Sequence, residues 1–169
     1  GTSMTQGTAT GFGGTVSCIS SVSDEVVVVS DTKEELLSCQ STLYDYKIKN
    51  ESKFVCLFKG VHLGSDSTVQ SSTATKGGGA MSANLCSIEI SNTSIVNSTS
   101  TNGNGGAILL GLESTLRVGE SSRFANNQAV KGSGGAIACI ECALLLFNDS
   151  TVFEYNYAGL DGGAVHLAT

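Results

Sequence analysis

The sequence of 169 residues contains no proline and no tryptophan, and only 14% of its residues are charged. Soluble domains usually carry about 25% charged residues, so the polarity here comes mainly from serine, threonine and 21 glycines. Nine lysines and arginines and a net charge of -6 exclude a nucleic-acid partner, which needs clustered basic side chains. The absence of proline suits a backbone whose N–H groups donate in strand ladders, because proline lacks that donor.

The sequence also lacks a long apolar run. No stretch approaches the roughly 18–20 residues of a membrane-spanning helix, and the first residues lack the basic and hydrophobic segments of a signal peptide. We therefore expect one domain without a signal peptide and without a membrane contact of its own.

What the sequence does contain is an internal repeat. The triplet Gly-Gly-Ala occurs four times, and its second glycines are Gly79, Gly106, Gly135 and Gly163. These positions recur with a nearly constant period of about 28 residues, within the range of known repeat architectures. An apolar residue follows each triplet, and another small or apolar residue comes two positions later. This alternation predicts a strand with an inward face at the same place in every unit.

A second element, Phe-x-x-Asn, precedes the triplet in two units. It occurs at residues 124–127 and 153–156, and residues 94–97 (Ser-Ile-Val-Asn) take the matching place one unit earlier. We expect Asn97, Asn127 and Asn156 to stack at a turn, where amides bond to one another and to the backbone. The phenylalanines are expected to stack in the interior.

Units of this length with short alternating strands cannot bury an apolar face alone, so they must stack. The sequence therefore predicts an all-β chain folded as a right-handed parallel β-helix, or β-solenoid, with about three strands per unit. We expect residues 77–169 to form repeat coils that are truncated at the C-terminus. Residues 1–76 repeat poorly and are expected to form degenerate coils or an irregular cap.

The N-terminal part carries weaker signals. Residues 13–16 resemble a degraded triplet that leads into a strand, and residues 65–76 are interpreted as a polar loop. Asp31 with Glu34 predicts the start of a short helix of about two turns. Further strands are predicted at residues 26–29, 43–49 and 54–58.

Few residues are candidates for chemistry. Cys139 and Cys142 form a Cys-x-x-Cys without a second ligand pair, so a zinc site is not supported. Cys139 falls at an inward position, and we expect a buried free thiol there. A disulfide among Cys18, Cys39 and Cys56 in the N-terminal part is left open by the sequence. His62 and His166 lie in no catalytic context, and no metal or cofactor is expected.

The enzymatic alternative is a carbohydrate-acting β-helix, either a lyase or a hydrolase. Such a site needs carboxylates and basic residues gathered on adjacent coils. Glu89 and Arg117 are one period apart and would stack, but both lie between inward residues and point outwards. We interpret them as a surface ion pair and expect no enzyme.

The combination of Gly-Gly-Ala-[Ile/Leu/Val] with Phe-x-x-Asn resembles the repeats of the chlamydial polymorphic membrane proteins over residues 78–167. The resemblance implies an autotransporter plan, with a β-helical passenger displayed at the outer membrane that acts in host-cell adhesion and as a surface antigen. The chain departs from the pattern at Met81 and at Ser94, where the phenylalanine is missing. The residues that match the motifs implicated in adhesion are Gly105, Gly106, Ala107, Ile108, Phe124, Asn127, Gly134, Gly135, Ala136, Ile137, Phe153, Asn156, Gly162, Gly163, Ala164 and Val165.

The sequence thus predicts a passenger that binds a host-cell receptor protein or glycan without turnover. Its expected location is the cell surface or outer membrane, or outside the cell after secretion. A structural spacer that holds a distal domain away from the membrane is the third hypothesis. We also expect self-association through the solenoid ends, because exposed strand edges can pair with another chain.

Overall fold

The computed structural model describes residues 3–19, 27–28, 60–64 and 66–169, and the regular structure in these ranges is entirely β-strand. No helix in this part of the chain is long and apolar enough to cross a membrane. The prediction of an all-β parallel solenoid is confirmed. The helix expected after Asp31 and the strands expected at 43–49 and 54–58 lie outside the described residues.

The strands follow one another in coils, and each complete coil contains four of them. In the first coil they are β1 (Ser3–Thr5), β2 (Thr8–Ala9), β3 (Val16–Ile19) and β4 (Val27–Val28). In the second they are β5 (Gly60–Leu63), β6 (Ser67–Gln70), β7 (Thr73–Ala74) and β8 (Met81–Asn84). In the third they are β9 (Ser87–Ile90), β10 (Thr93–Val96), β11 (Thr99–Ser100) and β12 (Ile108–Leu110). In the fourth they are β13 (Thr115–Val118), β14 (Arg123–Ala125), β15 (Gln128–Ala129) and β16 (Ile137–Ile140). In the fifth they are β17 (Leu144–Phe147), β18 (Val152–Glu154), β19 (Tyr157–Ala158) and β20 (Val165–Ala168).

Equivalent strands of successive coils pair in parallel and form four five-stranded sheets. Sheet 1 has the order β1-β6-β10-β14-β18, and sheet 2 has the order β2-β7-β11-β15-β19. Sheet 3 has the order β3-β8-β12-β16-β20, and sheet 4 has the order β4-β5-β9-β13-β17. The two-residue strands of sheet 2 raise the number of strands per coil from the predicted three to four. Strands this short show too few alternations to be recognised in the sequence.

The register of sheet 3 agrees with the spacing of the triplets. Ile108 pairs with Met81 on one side and with Ile137 on the other, and Ile137 pairs with Val165. Val16 pairs with Met81, so residues 13–16 do form a degenerate copy of the triplet. Both parts of the chain contribute strands to the same four sheets, and the division at residue 76 stays a prediction, as does the right-handed sense.

The regular order of the strands is interrupted between β4 and β5. Along the chain a sheet-4 strand follows each sheet-3 strand before β20, but β4 is followed by a second sheet-4 strand, β5, with which it pairs, and only then by β6 of sheet 1. Residues 27–28 therefore occupy the outermost position of sheet 4 and satisfy the edge of β5 that would otherwise be open.

The core is a stack of inward side chains along the solenoid axis. In sheet 4, Ile88 and Ile90 are buried while Ser87 and Glu89 of the same strand are half-buried, which is the alternation expected of a strand with one inward face. Polar residues also enter the interior. Residues 67–70 and 73–74 form strands β6 and β7, and Ser67 is buried, so the prediction of a polar loop at residues 65–76 is wrong. Serine and threonine fit tight inward positions, and because they are polar, the sequence did not indicate these two strands.

Candidate functional site

The first glycine of each triplet forms a left-handed turn. Gly105 has φ +68°, Gly134 has φ +72° and Gly162 has φ +64°. L-residues with a side chain rarely adopt this conformation, whereas glycine does so without a steric penalty. The turn directs the chain from sheet 2 into sheet 3, so this glycine fixes where each new sheet-3 strand begins.

The second glycine leaves space for the coil above it. A Cβ atom on Gly106 would lie 2.5 Å from the backbone nitrogen of Gln128 and closer still to the carbonyl oxygen of Gly135. The next residue, Ala107, donates its N–H to the carbonyl of Ala136 at 2.8 Å. The missing side chain therefore lets adjacent coils approach to hydrogen-bonding distance.

The end of each motif is directed inwards. Ala107, Ile108 and Ile137 are fully buried, and Val165 in the last coil is half-buried. These residues form ladders that hold sheet 3 against the core. The motif therefore combines a turn, a close backbone contact and a core side chain.

The phenylalanines of Phe-x-x-Asn stack inside sheet 1, as predicted. The rings of Phe124 and Phe153 are 5.0 Å apart between centroids with an interplanar angle of 9°. Phe147 of sheet 4 packs edge-on against Phe153 with centroids 5.2 Å apart. Such pairs add about 0.5–1.5 kcal/mol beyond the burial of apolar area.

Asn127 and Asn156 form the expected amide ladder. The Oδ1 of Asn127 accepts the backbone N–H of Ser98 at 3.0 Å, and the Oδ1 of Asn156 accepts that of Asn127 at 3.0 Å. The Nδ2 of Asn127 donates to the carbonyl of Ile95 at 3.0 Å, and the Nδ2 of Asn156 donates to that of Phe124 at 2.9 Å. Each asparagine thus joins two coils through its side chain.

Asn97 does not belong to this ladder. Ile95, not Ser94, pairs with Phe124, and the residue that meets Asn127 is therefore Ser98. Asn97 lies one position earlier, exposed in a left-handed turn with φ 55°. The predicted match of residues 94–97 to residues 124–127 is therefore wrong by one residue. A slip of one residue exchanges inward and outward positions.

The motif residues of the third and fourth coils have almost no accessible surface. Gly105 to Ile108, Phe124, Asn127 and Gly134 to Ile137 are buried or nearly so, while most of their counterparts in the last coil are half-buried. Their role in adhesion stays a prediction. Because buried side chains cannot contact a large partner, these residues can affect binding only by building the coil that carries the exposed ones.

One lateral face of the described coils carries no charged side chain. It consists of the outward residues of sheet 2, of the left-handed turn before each of its strands and of the residue directly after each strand, and we call it the hydroxyl–amide face. Its residues, coil by coil, are Gln6, Thr8, Thr10, Ser71, Thr73, Thr75, Asn97, Thr99, Thr101, Asn126, Gln128, Val130, Tyr155, Tyr157 and Gly159. This face is not recognisable in the sequence, because its outward positions do not share one residue type and because the sheet-2 strands are too short to be predicted.

Two tyrosines lie at one end of the hydroxyl–amide face. The side chain of Tyr155 occupies the turn position and is 81% exposed, and Tyr157 continues the ladder of Thr99 and Gln128 and is 57% exposed. Tyr155 has φ 53°, while Asn97 takes the equivalent position two coils earlier. Asparagine tolerates this conformation better than a bulky aromatic residue does.

The charged residues lie outside this face and pair differently from the expectation. The carboxylate of Glu89 lies 3.6 Å from Nδ1 of His62, and within the described residues no ion pair joins it to Arg117. The predicted Glu89–Arg117 pair is therefore wrong, although the two residues do pair in register. Arg123 instead pairs with Glu154 of the next coil, on the outer surface of sheet 1.

Cys86, Cys139 and Cys142, the cysteines whose side chains are described, do not form a thiol site. Cys139 is buried at the predicted inward position, but it is joined to Cys142 by a disulfide, so the expectation of a free thiol is wrong. Cys86 is also disulfide-bonded. A disulfide excludes both metal ligation and nucleophilic chemistry by these sulfurs while it persists. In the described ranges no three His, Cys, Asp or Glu residues cluster as metal ligands would.

Comparison with known protein families gives a match in the fourth coil. Residues 121–140 match the model of the Chlamydia polymorphic membrane protein repeat. The matched segment runs from the turn before β14 to the end of β16 and contains one Phe-x-x-Asn and one Gly-Gly-Ala-Ile. It confirms the resemblance inferred from the motifs. No curated protein and no solved structure matches the chain.

Proposed function

We propose that this chain, which carries the repeat of the chlamydial polymorphic membrane protein family, is part of the passenger of an autotransporter-like surface protein. The family supports a location at the outer membrane or cell surface, or release from it. In this proposal the solenoid binds a receptor protein or a glycan of the host cell and is itself exposed to antibodies as a surface antigen.

The observation that carries the proposal is the match of three consecutive strands of one coil to the family repeat. The burial of the repeat motifs supports a mode of action in which the motifs build the coils and other residues contact the partner. Gly106, Phe124 and Asn127 are buried, so the exposed lateral residues are the ones available to a partner. A stack of parallel coils holds such residues at fixed spacings, which lowers the entropy cost of forming an extended interface.

The alternatives receive less support from the geometry. A carbohydrate-acting enzyme would need a carboxylate and a basic group converging on one substrate. Glu89 faces His62, and the expected partner Arg117 forms no ion pair with it among the described residues. A pure spacer would need no specialised lateral face.

The test is binding of the labelled 169-residue chain to cultured epithelial cells, measured by flow cytometry. We expect saturable binding that an excess of unlabelled chain displaces. The thermally unfolded chain is the control, since it keeps the composition but not the lateral faces. Absence of saturable binding would contradict the adhesin proposal and favour the spacer.

A further inference from the structure

The composition of the hydroxyl–amide face differs from that of the whole chain. The chain has a net charge of -6, yet all fifteen positions of this face are uncharged. The side chains there are mainly hydroxyls and amides, each of which both donates and accepts hydrogen bonds. A partner complementary to this face is uncharged and rich in groups that also donate and accept hydrogen bonds.

The face is also regular along the solenoid axis. Thr8 pairs with Thr73 and Thr73 with Thr99, so equivalent hydroxyls recur at the strand separation of about 4.8 Å. Thr75 and Thr101 continue a second row, about 6.6 Å away along the strands. A linear polymer that lies along this axis can repeat the same contact over the first three coils, beyond which Gln128 and Tyr157 continue the first row.

The two tyrosines add a different kind of contact. Tyr155 and Tyr157 are the most exposed large rings next to these rows. Tyr155 has the same left-handed backbone as Asn97 and Asn126 at this turn in the two preceding coils, and the residue is 81% exposed there. Exposed tyrosine offers a rigid apolar surface with a polar tip, at a low entropy cost on binding.

We propose that the hydroxyl–amide face binds an uncharged glycan chain aligned with the solenoid axis. The tyrosine rings stack on the C–H faces of pyranose rings, while the threonine hydroxyls and the Asn126 and Gln128 amides bond to sugar hydroxyls.

Acidic glycans are disfavoured, because the fifteen positions of the face include no lysine or arginine and the chain is acidic. The exposed Lys76 and Lys131 lie at the border of the face, where they directly follow Thr75 and Val130. Lys76 is held over the ring of Phe12. This inference rests on the proposed adhesin function and narrows its partner class.

The test is isothermal titration of the full chain with three probes: a poly-N-acetyllactosamine hexasaccharide, cellohexaose and a heparin hexasaccharide. We expect at least one neutral probe to bind and the heparin fragment not to bind. The double variant Tyr155→Asn with Tyr157→Thr should bind the neutral probe at least tenfold more weakly. Asn and Thr occupy these same positions in other coils, so the backbone accepts both substitutions.

The matched control is Leu112→Ser, which removes an exposed apolar side chain from the turn between sheets 3 and 4. Its affinity should equal that of the unaltered chain, and all variants should keep the same unfolding midpoint. Affinity unchanged in the double variant, or binding of heparin alone, would overturn the proposal. So would the absence of binding to either neutral probe at millimolar concentration.

Cell binding separates this inference from the proposed function. If the chain binds cells and the double variant binds equally well, the adhesin function stands and the glycan site is wrong. If the chain binds no cells but binds a neutral probe through the tyrosines, the adhesin function is wrong and the glycan site stands. Treating the cells with protease or with glycosidase then identifies the class of the cellular partner.

Discussion

The second glycine of the triplet gives the sharpest test of the packing argument. In Gly106→Ala the new Cβ atom would lie 2.5 Å from the nitrogen and 2.6 Å from the carbonyl carbon of Gln128, whereas real Cβ atoms keep at least 3.0 Å. These neighbours are backbone atoms held in place, since the N–H of Gln128 donates to the carbonyl of Ser98 at 2.8 Å. The coils must therefore separate by about half an ångström or more, at the cost of ladder hydrogen bonds.

The expected cost follows from overpacking a rigid interior. Such substitutions cost typically about 1–3 kcal/mol, and we expect about 3 kcal/mol for Gly106→Ala because no neighbouring side chain can move aside. For a chain of this size that corresponds to a fall of about 6–12 °C in the unfolding midpoint. The midpoint is measured by circular dichroism in the β-sheet band.

The matched control is Gly163→Ala, the same motif position in the last coil. The nearest atom to a Cβ there is the carbonyl oxygen of Asn156 at 4.0 Å, so the substitution should change stability by no more than about 0.5 kcal/mol. Equal midpoints for the two variants would refute the claim that this glycine is required by contact between coils.

Three further outcomes are expected. Asn127→Ala should destabilise the chain by about 2–3 kcal/mol in urea titration, because it leaves buried backbone groups unpaired. Asn97→Gly should leave the free energy of unfolding unchanged within about 0.5 kcal/mol. Equal losses of stability would contradict the one-residue register shift. Cys139 and Cys142 should resist iodoacetamide in the unfolded, unreduced chain and react after reduction, as read by peptide mass; labelling without reductant would contradict the disulfide. Leu167 is 63% exposed in the last described coil. It should support concentration-dependent self-association of the 169-residue chain in light scattering, and a monomer at all concentrations would exclude it.

The sequence repeats were sufficient to predict the fold class, but not to assign every residue to its place in the coil. The triplets recur once per repeat period, and equivalent strands pair at the same steps. At residues 94–97 the phenylalanine is missing, so this repeat could not be aligned to the next one by its aromatic residue. Matching Asn97 to Asn127 instead shifted the alignment by one residue. The hydrogen bond from Ser98 to Asn127 decides the register, because only that register buries Ile95 beneath Phe124.

The candidate binding surface was harder to predict from the sequence than the core. Inward ladders repeat the same residue types because the interior is close-packed, and repetition makes them visible. Outward positions are under no packing constraint, so Thr73, Gln128 and Tyr157 share one ladder although they differ in size and shape. The motifs that identify the family are for this reason the residues a partner can reach least.

The sequence by itself determined that the chain forms stacked β-coils and which residues turn or fill them, because period, glycine and alternation are local properties. The tertiary structure alone decided which polar residues lie side by side. Residues a whole repeat apart become neighbours only when the coils are in register, and one residue of slip would turn each of them to the opposite face. The uncharged face and the tyrosines at its end depend on that register. The disulfide between Cys139 and Cys142, which are three residues apart, depends instead on the corner between sheets 3 and 4.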